Sequence, residues 1–551
     1  MLALVHQLIE HQALNRPEKD ALYFKDTKFS YRDLWLKTVA VAKGFERLGL
    51  TRGTRIAIYL PKQPESVLAM FAASAAHCVF VPINPLLKPL QVKHILQNCN
   101  VECLITSRTR ALQLQEITDS CSELRHCVLV DNEPDEEDVV SWESLLANTH
   151  TEAIKSFEQN QVLSSAATDN DIAAILYTSG STGKPKGVVL SHRNVMCGAE
   201  SVVSYLHNTS EDRLLAVLPF SFDYGLSQLT TAFFAGASVV LMDYLMPRDV
   251  LRAVERYQIT GLAAVPPLWN QLANLTWPVS AAQSLRYITN SGGAVPVALS
   301  DKLQHALPAT QIYLMYGLTE AFRSTYLRPD ELRERPTSIG KAIPNAEVMV
   351  VRADGSICDD DEAGELIHRG PLVAQGYWNS PEKTAKRFRR FAPQGPALAF
   401  DEIAVWSGDR VYRDKDGYLF FVSRADEMIK TSGYRISPAE VEEVLYQSGL
   451  VQEVAALGLP HESLGQAIAV IVTTIRTADT NHAIAAKIKQ HCQQQMPNYM
   501  IPSAIILVDE LAKNPNGKID RAGLHRQYQK TFLEPSTINQ SATCPKVMSK
   551  S

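Results

Sequence analysis

Short apolar runs alternate with amphipathic stretches from Arg55 onward. Ile56–Leu60 reads as a strand, Pro64–Ala75 as a helix opened by proline, and Val79–Ile83 as a second strand. Pro89–Gln97 places Val92, Ile95 and Leu96 on one helical face, and Val101–Thr106 returns to a strand pattern. The rhythm resumes after residue 171. Apolar runs stand at Ile172–Leu176, Leu214–Leu218, Ser238–Met242, Leu262–Val265, Arg286–Thr289 and Gln311–Met315, with helix-like segments between the later ones. Strand and helix in this order predict an α/β fold of layered sheets and helices with largely parallel strands. The acidic run Asp131–Asp138, which contains Pro134, and the polar stretch 150–170 read as solvated connections.

The pattern changes near Asp426. Ser437-Pro438-Ala439-Glu440 has the spacing of a capping box, with proline at the first helical position. Val441, Val444 and Leu445 then form a helical stripe, and Ala467–Ile475 reads as a buried strand. Residues after 530 are polar and carry Pro535 and Pro545, as a loose tail does. The expected division is a large N-terminal domain over 1–425, a small C-terminal domain over 426–530 and a tail over 531–551.

Composition narrows the class. A chain of 551 residues is too long for one core, and 46% apolar with 21% charged residues is a globular balance. A net charge of -5 argues against a nucleic-acid partner. Nine cysteines without a C-x-x-C pair read as reduced thiols rather than as a disulfide framework or a zinc site. The N-terminal stretch is interrupted by His6, Glu10 and His11, so it does not read as a secretory signal. No window approaches the roughly 20 apolar residues of a membrane span. The expectation is a cytoplasmic protein.

The densest chemistry lies in Tyr177-Thr178-Ser179-Gly180-Ser181-Thr182-Gly183-Lys184-Pro185-Lys186-Gly187, directly after the run Ile172–Leu176. Glycines let the backbone approach a ligand, four hydroxyls can donate to phosphate oxygens, and lysines add charge. This describes a polyphosphate site. The spacing is not that of a Walker A loop.

The segment resembles the signature loop of the adenylate-forming superfamily, which contains acyl-CoA synthetases, luciferases and peptide-synthetase adenylation domains. Further motifs follow in the family's order over roughly residues 10–530. The resemblance implies a large N-terminal domain and a small α+β C-terminal domain joined by a hinge at Asp426. It implies that Thr178, Ser179, Gly180, Ser181, Thr182, Gly183 and Lys186 hold the phosphates of ATP. Gly292, Gly293 and Ala294 of Asn290–Ala294 would flank adenine. In Tyr316-Gly317-Leu318-Thr319-Glu320, Tyr316 would stack on the base beside Gly317, Thr319 would touch the α-phosphate and Glu320 would hold Mg²⁺. Asp409 and Arg424 would take the ribose hydroxyls, with Ser423 standing where the family usually has glycine. Arg435 would contact phosphate. Lys518, in Asn514–Arg521, would be the mobile catalytic lysine that bridges carboxylate and α-phosphate.

The implied reaction is formation of an acyl-adenylate, then transfer of the acyl group to the phosphopantetheine thiol of CoA or of a free carrier protein. Phe222-Asp223 resembles the amino-acid-activating members, in which the aspartate pairs the substrate ammonium. A buried unpaired carboxylate is costly, so a cationic partner is expected for Asp223. This points to an amino acid as substrate, with a fatty or aryl acid as the alternative. Met428–Glu442 looks more like acyl- or aryl-CoA ligases, whereas Asn514–Arg521 looks more like peptide-synthetase adenylation domains. Pro82–Pro89, Ile288–Gly293 and Glu320–Tyr326 resemble exosortase-associated AMP-forming ligases and amino acid–carrier protein ligases. A non-catalytic ATP- or AMP-binding protein on the same fold is the alternative from another class. The intact set Lys518, Glu320, Asp409 and Arg435 speaks against it.

Overall fold

The computed structural model describes residues 2–131, 140–146, 167–178, 185–391, 402–424, 427–431, 434–461, 464–475 and 480–533. The acidic run after Asp131, most of the stretch 150–170 and the tail after residue 533 lie outside them. The chain divides by its contacts into a large unit, Met1–Phe421 with Pro515–Lys518, and a smaller unit, Val422–Asn514 with Ile519–Ser551. The main division falls a few residues before the expected boundary at 425/426. The short segment carrying Lys518 groups with the large unit.

The large unit contains an eight-stranded sheet whose central strands are Val79–Pro82, Arg55–Tyr59 and Cys103–Thr106, paired in parallel. Successive side chains of a strand point to opposite faces. Ile56, Ile58 and Phe80 accordingly enter the main core, while Ala57, Tyr59, Val79 and Val81 enter a second core beneath helices Pro89–Asn98 and Arg108–Thr118. Burial on both faces is why these strands read as continuous apolar runs. The helix expected over Pro64–Ala75 has those bounds, with Pro64 in its first turn.

A fourteen-stranded sheet forms the other main layer. Its strands Ser238–Leu241, Arg213–Ala216, Gly261–Ala264, Tyr287–Asn290 and Gln311–Tyr316 are parallel, as the sequence rhythm predicts. From Thr325 to Phe421 the same sheet continues in antiparallel pairs, which that rhythm did not predict. Antiparallel neighbours need no regular helical crossover, and here several come from distant parts of the chain, Ser338–Ala342 beside Leu419–Arg424 and Gly364–Arg369 beside Ile403–Arg413, so no repeating spacer marks them in the sequence.

The smaller unit is α+β. Gly465–Thr474 lies between Val451–His461, antiparallel, and Ala504–Leu507, parallel. Val441 and Leu445 of helix Pro438–Gln447 join Ile484 and Ile488 of helix Asn481–Gln495 over this sheet. The capping box expected at Ser437 does not form as a pair. The Ser437 side chain caps no helical N–H, and its hydroxyl donates instead to the Val422 carbonyl oxygen. A hydroxyl that stitches two segments is unavailable to the helix terminus.

Three histidines are sealed into the large unit. Burial is the largest cause that lowers His6 and His368 to about 3 and His192 to about 4, from an ordinary 6.5. The unfolded chain takes up protons at the ordinary value while the folded imidazoles stay neutral. Stability is therefore full above pH about 6.5 and declines as pH falls towards 3–4, by up to about 1.4 kcal/mol per pH unit for each histidine. Urea midpoints should hold from pH 7.5 to about 6.5 and then fall progressively down to pH 5. Constant midpoints would contradict this burial.

Candidate functional site

The glycine- and hydroxyl-rich segment Thr178–Lys186 is entered and left by paired strands. Ile172–Thr178 runs antiparallel to Lys186–Ser191, with Thr178 opposite Lys186. Ser179, Gly180, Ser181, Thr182 and Gly183 lie outside the described residues. Lys186 Nζ sits 5.3 Å from the centre of the Tyr377 ring. The Tyr377 hydroxyl in turn donates to Glu320 Oε1 at 2.6 Å. Burial, then the Glu320 carboxylate, push the Tyr377 phenol up, so it stays a donor. Tyr377 thereby ties strand Lys186–Ser191 to Glu320.

Glu320 stands on a single turn of 3-10 helix, Thr319–Ala321, immediately after strand Gln311–Tyr316. At the end of that strand the Tyr316 hydroxyl donates to Asp409 Oδ2 at 2.5 Å. Asp409 is 5% exposed, and its backbone N–H donates to Ser407 Oγ at 3.1 Å. Gly408, at φ 68°, donates to Glu365 Oε1 at 2.9 Å. The left-handed backbone at this irregularity within strand Ile403–Arg413 suits glycine and presents the aspartate beside Tyr316.

On another side, helix Asp223–Ala235 begins with Phe222 as its N-cap. A Cβ on Gly225 would stand 2.0 Å from the Pro219 carbonyl oxygen. Only glycine lets the helix start this close to the preceding turn. Asp223 is 4% exposed, and its negative charge suits the first turn of a helix. It is not an unpaired carboxylate. Arg323 Nη1 meets Asp223 Oδ2 at 2.9 Å, and Thr319 Oγ1 donates to Oδ1 at 3.3 Å. Asp223 thus has a cationic partner within the chain, Arg323.

Arg323 reaches this position because Phe322 adopts φ 55°, which is costly for a bulky residue. The Phe322 ring lies where only glycine fits: a Cβ on Gly198 would come within 2.3 Å of it.

Asn290 Nδ2 closes the turn after strand Tyr287–Asn290 by donating to the Gly293 carbonyl oxygen at 3.0 Å. Within this turn Gly292 has φ 84°, and a Cβ there would stand 2.7 Å from Lys518 Cε. The Lys518 ammonium lies 4.7 Å over the Phe222 ring. Asn84 Nδ2 donates to the Pro515 carbonyl oxygen at 2.9 Å, holding the same short segment. Gly292→Ala should therefore both strain the turn and displace the lysine. Its cost is expected to be about tenfold or more in turnover, with a small change in melting temperature. Steady-state kinetics with thermal melts check this.

A family model described as AMP-binding enzyme matches residues 9–378, and one described as AMP-binding enzyme C-terminal domain matches 440–518. The chain belongs to the AMP-binding enzyme family. Among curated relatives, this AMP-binding enzyme is 28% identical over 536 residues to an indoleacetate–CoA ligase of Aromatoleum aromaticum, covering 96% of this chain and 98% of the relative. It is also 28% identical over 531 residues to a dimodular nonribosomal peptide synthase of Bacillus subtilis, covering 95% of this chain but 21% of the synthase. Among solved structures, an anthranilate CoA ligase in complex with anthranoyl-AMP superposes with a TM-score of 0.83 at 25% identity, covering 96% of this chain and 98% of that one.

In this AMP-binding enzyme the large unit gathers Phe222, Asp223, Gly292, Thr319 and Lys518 through direct neighbours. It links Tyr316 to Asp409 and Lys186 to Glu320 through Tyr377. Gly293 and Ala294 follow Gly292 in the same turn, and Gly317 packs against the Arg323 backbone. Arg424 ends strand Leu419–Arg424 and falls in the smaller unit, as does Arg435, whose backbone pairs with Lys430. Asp426 lies outside the described residues. Two residues with clear roles in this geometry had drawn no role from the sequence. Tyr377 follows Gly376, whose φ of 127° is open to glycine alone within strand Gly376–Tyr377, and Arg323 stands three residues after the Glu320 motif.

Proposed function

We propose that this chain is an AMP-forming ligase that activates a carboxylic acid lacking an α-ammonium group and passes it to the thiol of CoA. The placement of Lys518 carries the adenylation reading. Its ammonium is packed against Gly292 and Phe222, and Phe222 adjoins Asp223, which takes the Thr319 hydroxyl. An acid carboxylate and an α-phosphate are both anions. A cation between them offsets the repulsion that opposes in-line attack. Attack by a carboxylate oxygen on the α-phosphorus forms the mixed anhydride and releases pyrophosphate. The thiol then displaces AMP to give the thioester.

The remaining residues fall into supporting roles. Thr178 and Lys186 flank the loop, with Ser179, Gly180, Ser181, Thr182 and Gly183, that would cradle ATP phosphates. Gly292, Gly293, Ala294, Tyr316 and Gly317 would line the adenine, and Asp409 with Arg424 would accept the ribose. Arg435 would contact phosphate, and Asp426 would be the hinge. Glu320 fits Mg²⁺: it is a hard oxygen donor, and one of its oxygens is oriented by Tyr377. When bound, the ion neutralises phosphate charge.

The choice of acid is supported by Asp223. An amino-acid site needs this carboxylate free to meet an ammonium, and Arg323 already neutralises it. The choice of CoA is supported by the indoleacetate–CoA ligase, which matches along nearly its whole length, whereas the peptide synthase is matched over about a fifth of its own. Acid-dependent ATP–pyrophosphate exchange followed by thioester trapping tests the reading. Exchange with aryl or short aliphatic acids, and CoA thioester as product, is expected. Exchange confined to amino acids, with transfer only to a carrier protein, would overturn this choice in favour of aminoacyl loading.

A further inference from the structure

Arg323 is 2% exposed, and only one of its guanidinium nitrogens is used. Nη1 donates to Asp223 Oδ2 at 2.9 Å and to the Phe322 carbonyl oxygen at 3.2 Å. Nε and Nη2 have no hydrogen-bond partner among the described residues. Those two nitrogens share one edge of the planar group, and their N–H bonds point the same way. Buried donors are nearly always satisfied, and an orphaned pair on a charged group calls for an acceptor.

The guanidinium lines a cavity that also touches Tyr224, Ser227, Gln228, Thr289 and Met315. Tyr224 follows Asp223 in the chain, its hydroxyl bonds Thr289 Oγ1 at 2.5 Å, and its ring lies 4.9 Å from the guanidinium carbon. The cavity measures about 10 Å³, the room that one oxygen-sized group needs. It is too small for an acyl chain. Asp223 already balances the Arg323 charge, so a carboxylate arriving here would leave a net buried negative charge. A neutral oxygen adds none.

We propose that Arg323 is a specificity-determining residue whose free edge receives a neutral acceptor oxygen, a carbonyl or hydroxyl, carried by the acid. The substrate class is thus a short oxo- or hydroxy-substituted carboxylic acid rather than an unsubstituted fatty acid. This rests on the adenylation reading above and adds the recognition of one further group.

Matched pairs of short acids, each differing only by oxo or hydroxyl in place of hydrogen along the chain, test it by ATP–pyrophosphate exchange. Corresponding dicarboxylic acids form a third arm. At one chain position the oxygenated acid should exceed its parent by on the order of 10²-fold or more in kcat/KM. Arg323→Lys keeps the charge opposite Asp223 but lacks the two-donor edge, so it should fold and lose most of that preference. If Arg323→Lys melts early, the double variant Asp223→Asn, Arg323→Gln removes both charges and should show the same collapse of the ratio. Equal rates within every pair, or a preference untouched in Arg323→Lys, would show that the edge serves only a buried water. A dicarboxylate exceeding the oxo acid would overturn the neutral-oxygen assignment. No exchange with any acid would sink the adenylation reading itself.

Discussion

Lys518→Ala should lower the rate of acyl-adenylate formation by about 10²–10³-fold while leaving the fold intact. The lysine touches the site through its side chain, with Cε against Gly292 and the ammonium over Phe222. Truncation removes one cation and little buried apolar area, so thermal stability should hardly change. Single-turnover AMP release, with melting curves as control, makes the measurement. Lys518→Arg is a sharper probe. It keeps the charge but adds a broad planar head where Gly292 already leaves no room for a methyl group, so it should recover little of the activity. Full activity in Lys518→Ala would remove the ammonium from the mechanism.

The second large effect is on stability. Arg323→Met should destabilise the large unit by about 3–5 kcal/mol, because it leaves Asp223 buried without a cation. Asp223 and Arg323 are both nearly fully buried, so neither can turn to solvent. The double variant Asp223→Asn, Arg323→Met removes both charges and should recover most of the loss. A double-mutant cycle from urea unfolding would return a coupling of a few kcal/mol. Additive losses would mean that the two side chains are separately solvated, contrary to the 2.9 Å contact.

What the sequence revealed was whatever local patterning determines. Pro64–Ala75 was legible because a proline start and continuous apolar positions fall inside one element. The parallel strands from Arg213 to Tyr316 were legible because helices separate them at regular intervals. The antiparallel part of the same sheet was not, since it joins strands far apart in the chain, Ser338–Ala342 to Leu419–Arg424 and Gly364–Arg369 to Ile403–Arg413, with no repeating spacer to count. Ser437 has the right spacing for a cap but spends its hydroxyl on Val422, a contact that spacing cannot show. The chemistry divided in the same way. Lys518, Glu320 and Asp409 stand in motifs whose order marks the family. The need of Asp223 for a cation was legible, but the identity of that cation was not. Arg323 is 100 residues away in the chain, and it arrives through a strained backbone at Phe322. Tyr377 reaches Glu320 across 57 residues by the same kind of long-range closure.

One site in the large unit is proposed to join a carboxylic acid to the α-phosphate of ATP. Carboxylate-dependent exchange of labelled pyrophosphate into ATP measures that step without requiring a thiol acceptor. Exchange should rise with added acid, need Mg²⁺ and fall by about 10²–10³-fold in Lys518→Ala. Folded wild-type protein that binds ATP yet shows no exchange across aryl, aliphatic, oxygenated and amino acids would contradict it.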